Sequence, residues 1–187
     1  VYMLNKKSPK NILDKDIYKY PDQEKLLKQI IHTQKIHIKK QVENGASIIQ
    51  IFDSWAGLLE NNKYEKYIYQ PTKELVNYIK SLGVNVICFP RNIKNYKEYC
   101  ETVKPNAISI DYEVDPNKIA KNINIPIQGG LDPKCLLLEK TDMLKNAKKY
   151  LEIFKNHKYI FNLGHGVMPT TNPENVKILV EFVKDFK

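Results

Sequence analysis

Five short apolar runs rich in β-forming residues, at 47–52, 84–89, 107–110, 125–128 and 159–163, are separated by longer polar, lysine-rich stretches. Within those stretches the apolar residues return at helical spacing. Leu26, Leu27, Ile30, Ile31, Ile38 and Val42 share one helix face, with Gly45 as its C-terminal stop. Tyr64, Tyr67, Ile68, Leu75, Ile79 and Leu82 share another that ends at Gly83, and Pro71 marks a break or a fresh start near its middle. Met143, Ala147, Tyr150, Leu151 and Phe154 form a third face. Asn172-Pro173-Glu174-Asn175 reads as an N-cap followed by proline at the first helical position, opening a last helix through Val176, Leu179, Val180 and Val183. Strands alternating with helices dictate parallel β/α units. The runs are apolar on both faces, as expected of strands buried on both sides. One domain over residues 1–187 is expected. An open doubly wound sheet and a (β/α)8 barrel share this pattern, and periodicity alone does not separate them.

The balance of residue types limits the partners. With 42% hydrophobic residues in 187, the chain can fill a core. It has no run of about 20 apolar residues, so no membrane partner is expected. The formal net charge of +9 invites a nucleic-acid reading. However, the basic residues are spread along the chain and Arg91 is the only arginine, the side chain best suited to bidentate phosphate recognition. A lysine surface of this kind serves solvation and the long-range steering of an acidic small molecule, and no nucleic-acid partner is expected. Neither Gly-x-Gly-x-x-Gly after the first strand nor Gly-x-x-x-x-Gly-Lys-Ser/Thr is present, so nucleotide binding has no support. Cys88, Cys100 and Cys135 are too few and scattered for a disulfide framework, which suggests a reducing cytoplasm and structural burial of the thiols. The first residues lack a secretory signal's apolar core. The chain does not begin with Met, and it is expected to be a segment of something longer.

In β/α proteins functional groups gather after the C-terminal ends of the strands. Those positions hold Asp53-Ser54-Trp55-Ala56-Gly57, Pro90-Arg91-Asn92, Asp111-Tyr112, Gly129-Gly130-Leu131-Asp132-Pro133 and Gly164-His165-Gly166-Val167-Met168-Pro169. His165 stands out, because glycines on both sides let the backbone approach a ligand and leave the imidazole unshielded; the plain alternative is a turn histidine bonded to a carbonyl. His32, His37 and His157 suit surface or packing roles. Ser54 can donate to a ligand oxygen or cap a helix, and no Gly-x-Ser-x-Gly elbow surrounds it. Asp132 before Pro133 suits a cap or turn, whereas Asp53 and Asp111 remain open as base, ligand or cap. No convergent His, Cys or carboxylate spacing marks a metal site.

Three of these segments resemble one family. Ile51-Phe52-Asp53-Ser54-Trp55-Ala56-Gly57, Gln128-Gly129-Gly130-Leu131-Asp132-Pro133 and Phe161-Asn162-Leu163-Gly164-His165-Gly166-Val167-Met168-Pro169 are similar, in order and spacing, to signature segments of uroporphyrinogen decarboxylases. Ser109-Ile110-Asp111-Tyr112 and Pro173-Glu174-Asn175-Val176 extend the likeness, which runs from about Tyr2 to the last residue. The resemblance implies a TIM (β/α)8 barrel, of which this chain is an incomplete C-terminal part. It implies decarboxylation of the four acetate side chains of uroporphyrinogen to give coproporphyrinogen, with no metal or other cofactor, by a cytoplasmic homodimer. It also implies that Tyr2, Ser54 and His165 contact the substrate.

The same resemblance places the family's pyrrole-contacting aspartate and its arginine-rich segment in the N-terminal part of the barrel, upstream of this chain. No catalytic residue is therefore expected here, and the chain alone is expected to expose strand edges and to turn over little substrate. Leu4-Asn5-Lys6-Lys7-Ser8 replaces a glycine-rich stretch found after Tyr-Met in many relatives. Two rivals remain: a zinc-dependent corrinoid or thiol methyltransferase of the same superfamily, and a non-catalytic porphyrin-binding module. The first requires His-x-Cys where Val86-Ile87-Cys88 stands.

Overall fold

A computed structural model describes residues 21–186, which divide after Asn106 into two compact units, 21–106 and 107–186. Both follow the β/α order read from the apolar runs.

The first unit opens with α1 (Gln23–Glu43), whose buried stripe includes Ile31 and Ile38. Gly45 then takes φ 99°, the left-handed stop expected there. Strand β1 (Ile48–Asp53) runs parallel to β2 (Asn85–Pro90), in register from Ile48↔Asn85 to Asp53↔Pro90. Between them lie two short 3-10 turns, Ala56–Leu58 and Asn61–Lys63, and a π-helical turn, Glu65–Tyr69. That turn leads into α2 (Gln70–Ser81), with Pro71 in its first turn. Pro71 has no N–H to give, so the backbone widens just before it and the regular helix starts afresh. Helix α3 (Tyr96–Val103) is capped by Asn95, whose Oδ1 accepts the Glu98 N–H at 3.0 Å. Ile68, Val76, Ile79, Val86, Cys88 and Tyr99 fill this core.

Burial on both faces holds for β2 beyond Asn85 but not for β1, where Ile48 is 52% and Phe52 66% exposed. Among the described residues β1 pairs with β2 alone, so its apolar sequence belongs to an edge strand.

In the second unit β3 (Ala107–Ile110), β4 (Ile127–Gly129) and β5 (Tyr159–Ile160) are parallel neighbours, with Ile108↔Ile127 and Ile127↔Tyr159 in register. They alternate with α4 (Pro116–Asn122), α5 (Lys140–Phe154) and α6 (Pro173–Asp185). Leu131, Leu136, Met143, Ala147 and Leu179 form its core. Tyr159 stacks on Phe154 at 4.5 Å and donates its O–H to the Gly129 carbonyl at 2.9 Å. The last apolar run is thus shorter as a strand than the expected 159–163. Gly129 and Gly130, at φ 91° and 104°, turn the chain out of the ladder, and it is rejoined only by the single bridge Leu131↔Leu163. Asn172 caps α6 as expected, accepting the Glu174 N–H at 3.0 Å. Among the described residues no helix is long and apolar enough to cross a membrane.

Candidate functional site

The strand ends of the first unit are laced through their backbones. The Arg91 N–H donates to the Asp53 carbonyl at 3.1 Å, and the Gly57 N–H donates to the Arg91 carbonyl at 2.9 Å. A Cβ on Gly57 would lie 2.2 Å from the Asn92 carbonyl oxygen, so only glycine permits this closeness. Ser54 sits in the turn so formed, part-exposed, and Trp55 rather than Ser54 occupies the N-cap position of the following 3-10 turn. The helix-cap alternative for Ser54 therefore does not describe this turn. Asp53 instead uses its carboxylate locally, accepting the Trp55 backbone N–H. Burial outweighs that bond and raises the Asp53 carboxyl from 3.8 to about 6.

Arg91 is the functional candidate to which sequence reasoning gave no role. Its Nε is buried and has no hydrogen-bond partner, and its guanidinium is not among the groups that stabilise the Asp53 carboxylate. The signal was present in the sequence as the one arginine in a lysine-rich chain, placed at a strand end.

In the second unit the histidine loop is seated before it becomes exposed. The Gly164 N–H donates to the Leu131 carbonyl at 2.8 Å, and Gly164 is itself buried. A Cβ there would come within 2.4 Å of the Tyr112 nitrogen and 2.8 Å of the Asp111 carbonyl carbon. The Asp111 carboxylate is wholly buried and accepts the Glu113 N–H at 2.9 Å, pinning the turn against which Gly164 rests. From His165 to Thr170 every residue is exposed. A Cβ on Gly166 would meet nothing within 4 Å. The two glycines around His165 thus differ: Gly164 is required by the turn beneath it, and Gly166 faces open space.

Tyr2, the third expected contact, lies outside the described residues. Ser54 and His165 belong to different units, Ser54 beside Asp53 and Arg91, His165 beyond Gly164 and the Asp111–Tyr112 turn. Asp132 accepts the Lys134 N–H at 2.9 Å and caps a 3-10 turn, as its proline neighbour suggested. His32 and His37 are exposed on α1, and His157 packs edge-on against Phe154. Burial pushes the Cys88 thiol up to about 12, which suits a packing group rather than a thiolate ligand. Among the described residues no three His, Cys, Asp or Glu side chains cluster as a metal site needs.

The family model described as "Uroporphyrinogen decarboxylase (URO-D)" matches residues 1–186. The chain belongs to the uroporphyrinogen decarboxylase family. Within that family it is 44% identical over 165 residues to the uroporphyrinogen decarboxylase of Wolbachia pipientis wMel, covering 86% of this chain and 48% of that protein. Likeness to the Rickettsia bellii uroporphyrinogen decarboxylase is 36% over 193 residues, covering 100% of this chain and 57% of the relative. The Cereibacter sphaeroides uroporphyrinogen decarboxylase is 34% identical over 170 residues, covering 88% and 50%. The chain thus spans about half the length of the curated relatives it matches. The strand-end segments that carried the resemblance are those from which the laced Ser54 turn and the seated His165 loop are built.

Proposed function

We propose that this chain carries substrate-facing loops of a uroporphyrinogen decarboxylase, which removes carboxyl groups from the acetate side chains of uroporphyrinogen and leaves methyl groups. Its two units are parts of one (β/α)8 barrel domain spanning residues 1–187 of this chain, and the full protein acts as a cytoplasmic homodimer without metal or other cofactor. The observation that carries this reading is the family match along the whole chain, together with the seating of Gly164 that presents His165 at a strand end.

Loss of CO2 from a pyrrole acetate leaves an electron pair on the side-chain carbon. Prior protonation of the pyrrole ring supplies the sink for that pair, a second proton completes the methyl group, and the ring then releases the first proton to restore the pyrrole. Catalysis then consists of stabilising a cationic ring while holding the other carboxylates still. In this proposal Ser54, Tyr2 and His165 orient those carboxylates by hydrogen bonds. They position the substrate and do not initiate proton transfer. Ser54 is part-exposed and the loop from His165 to Thr170 is exposed, as a ligand site requires.

Binding of uroporphyrin, the stable oxidised octacarboxylate, tests the reading through fluorescence titration of the 187-residue chain. Ser54→Ala and His165→Ala should each weaken binding, by about tenfold per lost charge-assisted hydrogen bond. Unchanged affinity in both variants would remove these residues from the substrate site. Stoichiometric zinc in the purified chain would instead favour the methyltransferase rival.

A further inference from the structure

We propose that Arg91 is a carboxylate-binding residue of the substrate site, clamping one acidic side chain of the porphyrinogen beside Ser54; this rests on the decarboxylase reading above.

Arg91 is held by its backbone on both sides of the Ser54 turn, donating to Asp53 and accepting from Gly57, so its position relative to Ser54 is fixed by the β1–β2 pairing. Its side chain contrasts with described lysines that have partners: Lys35 pairs with Glu74, Lys66 with Glu24, and Lys80 donates to the Lys104 carbonyl. The Arg91 Nε is buried and donates to nothing. The nearest candidate acceptor in sequence, Asp53, directs its carboxylate to the Trp55 N–H and receives no stabilisation from the guanidinium. A buried, unsatisfied donor on a permanently charged group is unfavourable, and that cost is recovered when an anion arrives.

The anion that suits a guanidinium is planar and bidentate, a carboxylate or a phosphate. A porphyrinogen with acetate and propionate side chains supplies carboxylates in the number that makes such a clamp useful. Ser54 follows Asp53, whose carbonyl accepts the Arg91 N–H, and its part-exposed side chain adds a hydroxyl donor at the same strand end. A fork and a hydroxyl at adjoining strand ends make a carboxylate subsite whose geometry the β1–β2 register determines.

Because Arg91 is the only arginine, its Nε–H gives a single, self-assigned signal in a nitrogen–proton spectrum of the labelled chain. Titration with uroporphyrin should move that signal saturably, and so should a simple dicarboxylate such as succinate at higher concentration. Arg91→Gln should weaken uroporphyrin binding about ten- to a hundredfold, the loss expected when one partner of a charged hydrogen bond is removed. Arg91→Lys, which keeps the charge and loses the fork, should fall between. Lys148→Gln, the same charge change on α5, should leave affinity unaltered. An unmoved Arg91 signal at saturating uroporphyrin, or Arg91→Gln binding within twofold of the parent, would overturn the proposal. If the parent chain binds succinate through Arg91 but not uroporphyrin, the decarboxylase reading fails and the carboxylate subsite stands.

Discussion

Replacing Asp53 with asparagine isolates the cost of a buried carboxylate at the end of β1. The substitution is nearly isosteric, and the amide oxygen can still accept the Trp55 N–H that the carboxylate accepts now. What changes is the charge. The rise from 3.8 to about 6 corresponds to about 3 kcal/mol favouring the neutral acid in the folded chain. Asp53 is part-exposed, so solvent recovers some of this and about 1.5–3 kcal/mol is the expected range. The sign follows from proton linkage. The folded chain keeps the proton up to about pH 6, whereas the unfolded chain gives it up near 4, so folding takes up a proton between those values. Below that window both states are neutral and Asp53 costs nothing. Above it both are ionised and the folded state bears the full penalty. Thermal unfolding followed by circular dichroism from pH 3 to pH 8 should therefore show midpoints for the parent and Asp53→Asn that converge at the acid end. At pH 7.5 the variant should unfold about 3–12 °C higher, given ~2–4 °C per kcal/mol for a chain of this size. A difference that is constant across pH would refute the reasoning, as would a variant that loses stability as the pH rises.

Gly164→Ala should lower the unfolding midpoint by several degrees, because its Cβ meets fixed backbone at 2.4 Å, a misfit of about 1–3 kcal/mol or more. Gly166→Ala should change it by less than 2 °C, as its Cβ meets no atom within 4 Å. Asn172→Ala removes the cap of α6 and should cost about 1 kcal/mol in urea titration, with Asn172→Asp retaining most of the stability. Tyr159→Phe strips the Gly129 carbonyl of its donor and should cost about 1–2 kcal/mol while leaving the ring stack with Phe154 intact.

Much of this chain is legible in its sequence, because local chemistry sets it. The glycine at 45, the proline at 71 and the Asn172-Pro173 pair act within one helical turn of themselves, so the elements they bound are legible from sequence. The apolar runs marked five strands for the same reason. Their burial was less legible, since an edge strand and an interior strand can share one apolar sequence, and only pairing distinguishes β1 from β2. The early end of β5 had its cause at Gly129 and Gly130, some thirty residues away where β4 ends.

The same division holds in the loop that contains His165. By itself the sequence determined that a histidine stands between two glycines after an apolar run, and that this loop resembles one family. Tertiary structure decided that Gly164 is confined by the Asp111–Tyr112 turn while Gly166 is not, and that Arg91 keeps a buried donor unused. Those facts arise between residues that are distant along the chain. Steric exclusion and desolvation act through space, and a sequence records which groups exist but not which of them meet.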